Sequence, residues 1–284
     1  ELYLEKDEVL RILFSDPGDL PSHQSNRIAY CDQPGVFEQL NTGDLLRCDF
    51  GGFTLQVSDI CPNTHCVTCT AVIAGRMKSN RAIDRIGKPF ILKAFSNLDL
   101  EIISNYQDLS DNMIFMSFCS SSEDIRLFRA LCPQKKLVAK IESRLALHNL
   151  EAIIQEADAI LIDRGDLSRE LSIGLIPFTV NHVIYACKKA GKQCFVATNV
   201  LDSMMSGIHP SRAEISDIWH LLNAGVTDFV LAAEVAIGEH PVESTEVLTY
   251  MKELFKHSSN SFISLLDTGY FRNLIKNEHL RAWM

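Results

Sequence analysis

The sequence predicts an α/β fold in which repeated strand–helix units form a parallel sheet behind an all-β N-terminal region. Short apolar segments separated by turn residues fill the chain up to about residue 90, and buried-strand segments alternate with amphipathic helices from about residue 112. Such βα units build either a (β/α) barrel or a doubly wound sheet, and the pattern leaves both open. Five segments of the second region read as buried strands: residues 113–118, 137–141, 159–163, 194–197 and 229–233.

The N-terminal region contains three apolar segments, at residues 45–50, 53–60 and 67–74, which we interpret as strands. Turn-forming residues precede or separate them, at residues 42–44 and 62–63. This spacing is typical of a small barrel or sandwich, and the region contains no catalytic motif that we can identify.

The predicted strands of the second region are followed by helical patterns. One helix has Pro177 near its start and Gly191 just past its end, the positions these residues favour. Ser211 and Glu214 have the spacing of a capping box at the start of a later helix. Three helices carry apolar faces at helical spacing: Leu147, Leu150, Ile153 and Ile154; Val180, Val183, Ile184 and Cys187; and Val247, Leu248, Met251, Leu254 and Phe255.

Composition excludes several function classes. The net charge of -9 argues against nucleic-acid binding, which requires clustered Lys and Arg. The nine cysteines are an odd number and lie in strand-like or helical segments, so we expect reduced thiols and a cytoplasmic protein. No apolar run approaches the roughly 18 residues of a membrane span, and the charged first residues do not resemble a signal peptide.

Polar residues follow the predicted strands at their carboxyl ends, where a (β/α) barrel builds its active site. Lys140 and Glu142 end one strand, Asp166 follows the next, and Thr198 follows the third. The carboxylates of Glu142 and Asp166 could share one Mg²⁺, and Lys140 could neutralise a phosphoryl group. This set of groups suits phosphoryl transfer and also suits enolate chemistry on a 2-keto acid, where a metal stabilises the enolate oxygen.

Five blocks, in this order and spacing, resemble the pyruvate kinase family. They include the signature strand and helix around Lys140, although the family usually has Asn where Ser143 stands. The blocks are residues 139–154, 157–167, 190–204, 209–217 and 225–241. The resemblance implies a TIM-type (β/α) barrel portion comprising strands four to eight, at residues 91–258. Residues 1–90 then correspond to the family's inserted all-β lid domain, and residues 259–284 form a tail of unknown role.

The resemblance also implies roles for individual residues. Lys140 would stabilise the transferring phosphoryl group, and Glu142 and Asp166 would ligate Mg²⁺. The backbone amides of Gly165 and Asp166, together with Thr198, would hold the carboxylate of phosphoenolpyruvate. Thr198 would also lie near the carbon that is protonated. The implied reaction transfers a phosphoryl group from phosphoenolpyruvate to ADP, giving pyruvate and ATP.

Departures from the family pattern keep other functions open. We count five strands where a barrel needs eight, so we expect a fragment or a degenerate member, with the family's K⁺ ligands in the missing part. Asn80 and Arg81 stand where the family has a lysine pair near the nucleotide, which leaves Arg81 as a weak nucleotide-binding residue. The alternatives are a metal-dependent 2-keto-acid lyase or aldolase, and an inactive homologue with a binding role. The family is commonly oligomeric, which makes a homo-oligomer an expectation here.

Overall fold

The chain forms two compact units, Glu1–Ser96 and Asn97–Met284, each of which is described by itself. Apart from Ser259, the predicted tail lies outside the described residues, and so does Asn80. None of the described helices is long and apolar enough to cross a membrane. The computed structural model describes residues 2–14, 27–48, 52–79, 81–105 and 113–259.

The first unit is a β domain. Its described strands are β1 (Leu2–Leu4), β2 (Val9–Phe14), β3 (Ile28–Cys31), β4 (Leu45–Cys48), β5 (Thr54–Cys61), β6 (Cys66–Ile73), β7 (Gly75–Met77) and β8 (Ile83–Arg85). Six of them form one sheet in the order β3-β2-β6-β5-β4-β8, and β1 pairs with β7. All pairs are antiparallel except β2 with β3. The three predicted strands correspond to β4, β5 and β6, although residues 49 and 50 lie outside the described residues.

Alternating side chains form the core of this unit. In β2, Leu10, Ile12 and Phe14 are buried whereas Val9 is exposed, as the two-residue period of a strand requires. Gly43, in the predicted turn before β4, has a φ of 96°, which favours glycine. The core of this unit is therefore built mainly from the alternating apolar positions of its strands.

A buried arginine crosslinks the end of the β domain. The Arg85 side chain is 2% exposed, and its guanidinium lies 3.3 Å from Asp44 Oδ2. Its N–H groups also donate to three main-chain carbonyl oxygens, those of Gln39, Lys88 and Pro89. Every side of this cation thus has a protein partner.

The second unit contains a parallel sheet. Its described strands are β9 (Met113–Met116), β10 (Lys136–Ile141), β11 (Ala159–Asp163), β12 (Gln193–Ala197) and β13 (Asp228–Val230). They lie in the order β13-β12-β11-β10-β9, and every pair is parallel. The carboxyl ends of all five strands therefore lie along one edge of the sheet.

Helices connect these strands. The described helices are α1 (Asn97–Asn105), α2 (Ser122–Leu131), α3 (Arg144–His148), α4 (Leu150–Glu156), α5 (Arg164–Glu170), α6 (Ile176–Ala190), α7 (Arg212–Ala224), α8 (Ala233–Ala236) and α9 (Pro241–Ser259). Helix α6 has Pro177 in its first turn and ends at Gly191 in the left-handed conformation, as predicted. The predicted capping box of Ser211 and Glu214 is confirmed at the start of α7.

Three elements differ from the sequence prediction. Strand β9 ends at Met116, before residue 118, because the chain turns there and Phe118 has a φ of 52°. The last strand stops at Val230, and Ala233 already begins α8. The helix predicted around Leu147–Ile154 is divided into α3 and α4 at Asn149, the residue that ends one and begins the next.

Candidate functional site

The carboxyl edge of the parallel sheet gathers five polar side chains from three neighbouring strands. Lys140 lies in β10 and Glu142 follows it, Asp163 ends β11, Asp166 lies in the first turn of α5, and Thr198 follows β12. The parallel register places Ile141 beside Ile162 and Asp163 beside Ala197. Residues far apart in the sequence are therefore neighbours at this edge.

Lys140 lies between two carboxylates. Its Nζ is 3.0 Å from Glu142 Oε2 and 3.0 Å from Asp163 Oδ2, and it also donates to Ser117 Oγ at 3.4 Å. Burial alone would lower the pKa of Lys140, but the charges of Glu142 and Asp163 outweigh it and raise the pKa above its ordinary value. The lysine is therefore held in the charged state.

Glu142 is the most deeply buried of the carboxylates, with a side chain 1% exposed. Its Oε1 accepts a hydrogen bond from the backbone N–H of Phe118, whose left-handed backbone turns that group toward it. Its Oε2 is ion-paired with Lys140 but accepts no well-oriented hydrogen bond. Burial raises the pKa of Glu142 despite the nearby Lys140. A buried oxygen with unused lone pairs has room for a cation as a further partner.

Asp163 uses both of its oxygens. Oδ1 accepts a hydrogen bond from Thr198 Oγ1 at 2.7 Å and from the backbone N–H of Asp166 at 3.4 Å, while Oδ2 faces Lys140. Burial would raise its pKa, but the hydrogen bond from Thr198 and the charge of Lys140 hold the pKa below the ordinary value. Asp163 is thus the central acceptor of the site.

Thr198 and Asn199 have left-handed backbones, with φ of 73° and 53°. Such conformations are strained in residues with a Cβ and persist where surrounding contacts fix them. The Arg164 guanidinium donates to the carbonyl oxygens of both residues, and Glu234 accepts hydrogen bonds from the next two backbone amides, those of Val200 and Leu201. The position of Thr198 is therefore fixed from both neighbouring strand ends.

Gly165 lies directly against Thr198. A Cβ at this position would come within 2.7 Å of Thr198 Cγ2 and 3.4 Å of Asp163 Oδ1. Any larger residue would displace the threonine methyl group. The requirement for glycine here is one of space, because its φ is not positive.

The residues present fit a divalent cation. Among the residues that the structure describes, Glu142, Asp163 and Asp166 form the one group of potential ligands, with oxygens within 4.8 Å of one another. Arg169 lies 3.1 Å from Asp166 Oδ1 and supplies a second positive group. Hard oxygen donors of this kind suit Mg²⁺ or Mn²⁺, and Glu142 Oε2, which accepts no hydrogen bond, supports the same conclusion.

The structure brings together Lys140, Glu142, Gly165, Asp166 and Thr198, all of which were singled out from the sequence. Their roles stay predictions. Arg81 is different: it is an exposed residue of the first unit, between β7 and β8, whereas the cluster belongs to the second unit.

Sequence reasoning missed Asp163 and Arg164 as members of the site. The available signal was their place at the end of a predicted strand, directly beside Gly165. This position was not decisive, because the sequence does not show whether the side chain of a residue at a strand end points toward the neighbouring strands.

Comparison with known proteins gives a consistent family assignment. Residues 3–245 match the family model for the pyruvate kinase barrel domain. Similar curated proteins are the pyruvate kinases of Mycoplasma pneumoniae, 28% identical over 92% of this chain and 52% of the relative, and of Mycobacterium intracellulare, 30% identical over 78% and 50%. The chain spans about half the length of these relatives. Its sheet accordingly represents part of a barrel-type α/β fold, and the chain belongs to the pyruvate kinase family.

Proposed function

We propose that this chain carries the phosphoenolpyruvate and Mg²⁺ sites of a pyruvate-kinase-type phosphotransferase. The observation that carries the proposal is the position of Lys140 between Glu142 and Asp163, beside the fixed hydroxyl of Thr198. A charged lysine, a set of hard oxygen ligands and a hydroxyl are the groups that this phosphoryl transfer needs.

Glu142 and Asp166 would hold the divalent cation. When bound, the cation would supply positive charge to the oxygens of the substrate. The buried Oε2 of Glu142 supports this role, because it accepts no hydrogen bond and has acceptor capacity beyond its ion pair with Lys140.

In the proposed reaction, the bond between phosphorus and the enol oxygen of phosphoenolpyruvate breaks, and a bond to a terminal phosphate oxygen of ADP forms. Lys140 would stabilise the negative charge of the phosphoryl group in transit. The backbone amides of Gly165 and Asp166 and the hydroxyl of Thr198 would hold the substrate carboxylate. The enolate then takes a proton from solvent water on carbon, beside Thr198, and becomes pyruvate.

The remaining parts of the proposal follow the family resemblance. The β domain of the first unit would act as the lid, with Arg81 near the ADP phosphates, and residues 91–258 would form the barrel portion. K⁺ would be a second cofactor, and a homo-oligomer would be the working form. The nine free cysteines support a cytoplasmic protein.

The test is a coupled enzymatic assay for pyruvate formed from phosphoenolpyruvate and ADP. K⁺ is present throughout, and Mg²⁺ is either present or removed by chelation. Pyruvate formation that requires both Mg²⁺ and ADP is the expected result. If the folded chain binds neither phosphoenolpyruvate nor Mg²⁺ in equilibrium measurements, the proposed site is wrong.

A further inference from the structure

One side chain already uses the groups that the proposed substrate needs. The carboxylate of Asp163 accepts hydrogen bonds from Thr198 Oγ1 at 2.7 Å and from the backbone N–H of Asp166 at 3.4 Å, and it lies 3.0 Å from Lys140 Nζ. Thr198, the Asp166 amide and Lys140 are three of the groups assigned above to phosphoenolpyruvate. A carboxylate of this chain thus takes the place that those roles give to a substrate anion.

We propose that the Asp163 carboxylate competes with phosphoenolpyruvate for its binding groups: with the substrate carboxylate for Thr198 and the Asp166 amide, and with the phosphoryl group for Lys140. This inference rests on the proposed function and adds an internal competitor to the same site. The substrate must displace the Asp163 carboxylate before it can bind through these groups.

The net charge of the site also opposes binding of the anionic substrate. Three carboxylates, those of Glu142, Asp163 and Asp166, face two cationic side chains, Lys140 and Arg169. The excess of negative charge opposes an incoming anion, and the effect is strong because Glu142 and Asp163 are largely removed from water. A bound divalent cation reverses this balance.

The cation also offers Asp163 another partner. Its oxygens lie within 4.8 Å of those of Glu142 and Asp166, so it can turn toward a cation that these two residues hold. The buried Oε2 of Glu142, which is ion-paired with Lys140 but accepts no hydrogen bond, also has acceptor capacity for a cation. We therefore expect Mg²⁺ to bind first and the anionic substrate second.

The experiment is calorimetric titration of phosphoenolpyruvate into the full chain without ADP, once with divalent cations removed by chelation and once with Mg²⁺ at saturation for each variant. Asp163→Ala removes the competitor, and its affinity for phosphoenolpyruvate without Mg²⁺ is expected to rise about tenfold or more, since it frees one ion pair and one charge-assisted hydrogen bond. With Mg²⁺ the rise is expected to be smaller, because the cation draws the Asp163 carboxylate away from these groups. Asp163→Asn is expected to show a smaller rise, because its amide oxygen still accepts from Thr198 but carries no charge toward Lys140. The control is Asp202→Ala, which removes one exposed carboxylate from the same unit.

Two further measurements make the result decisive. Circular dichroism establishes that each variant is folded, and calorimetric titration of Mg²⁺ sets the Mg²⁺ concentration that saturates it. Tighter phosphoenolpyruvate binding by the Ala variant, with Asp202→Ala unchanged, supports the inference. Equal or weaker binding by both Asp163 variants overturns it and leaves the proposed function standing. Absence of phosphoenolpyruvate binding in the original chain and in all variants overturns both.

Discussion

The two units each contain a cation largely shielded from solvent, and these cations have opposite surroundings. Arg85 of the β domain donates to three carbonyl oxygens and pairs with Asp44, so its donors are used within the protein. Lys140 of the parallel sheet has two carboxylates at 3.0 Å, and one oxygen of its partner Glu142 still lacks a hydrogen bond.

This difference distinguishes Arg85, a polar group that stabilises the fold, from Lys140, a polar group that we expect to bind a ligand. A buried polar network stabilises a fold when every member is satisfied, and an incomplete one costs free energy. The incomplete network around Lys140 is therefore the part of the molecule where a ligand has the most to contribute. Four predictions test this contrast, from the largest expected effect to the smallest.

Replacing Lys140 by Met should abolish most of the proposed activity. We expect turnover to fall about 10²–10³-fold or more, since the variant loses a preorganised charge at the phosphoryl group. The matched control is Lys136→Met, because Lys136 is exposed at the start of the same strand and should leave turnover unchanged. Steady-state kinetics at saturating Mg²⁺ measure both, and near-normal turnover of Lys140→Met would remove this residue from the mechanism.

Replacing Arg85 by Met should lower the stability of the protein and leave the proposed reaction step unaffected. The substitution removes a buried hydrogen-bond donor from three carbonyl groups and Asp44, and we expect the free energy of unfolding to fall by about 3 kcal/mol. Urea denaturation followed by circular dichroism measures the loss. A change below about 1 kcal/mol would place Arg85 among ordinary surface residues, and the contrast with Lys140 would then fail.

Substitution of the carboxylates should weaken divalent-cation binding. Asp166→Ala and Glu142→Gln are each expected to reduce Mg²⁺ affinity about 10–100-fold, because Mg²⁺ relies on few carboxylate ligands. Calorimetric titration of Mg²⁺ checks this, with the exposed Asp202→Ala as the control. An unchanged titration in both variants would contradict the metal site.

Magnesium affinity should also depend on pH through Glu142. Burial raises the pKa of this group above its ordinary value of 4.5, and Mg²⁺ needs the ionised form. Affinity should therefore be constant well above the folded-state pKa and weaken as pH falls through it, up to about tenfold per pH unit. This weakening should begin at a higher pH than for an ordinary glutamate.

The Glu142→Gln variant provides the control for this pH dependence. Its remaining affinity should vary less over the same range, because the pKa of Asp163 is held low. An identical pH profile in the variant and the original chain would exclude Glu142 as the titrating group.

The parallel sheet of the second unit was largely readable from the sequence, whereas only β4, β5 and β6 of the first unit were predicted. Apolar segments and helical faces are local patterns, and they located all five strands of the parallel sheet and the ends of α6. The misplaced strand boundaries are at Phe118 and Ala233, where the chain turns next to the site: the Phe118 amide donates to Glu142, and Glu234 accepts from the segment after Thr198. Neither turn has a strong local signal.

The sequence by itself determined which residue types follow each strand, because strand order and residue identity are local properties. From them, Lys140, Glu142, Asp166 and Thr198 could be named as candidates. Tertiary structure alone decided that Asp163 binds Thr198 and Lys140, and that Glu142 is buried with one oxygen that is ion-paired with Lys140 but accepts no hydrogen bond. These properties depend on register and desolvation between segments tens of residues apart, which no local pattern encodes.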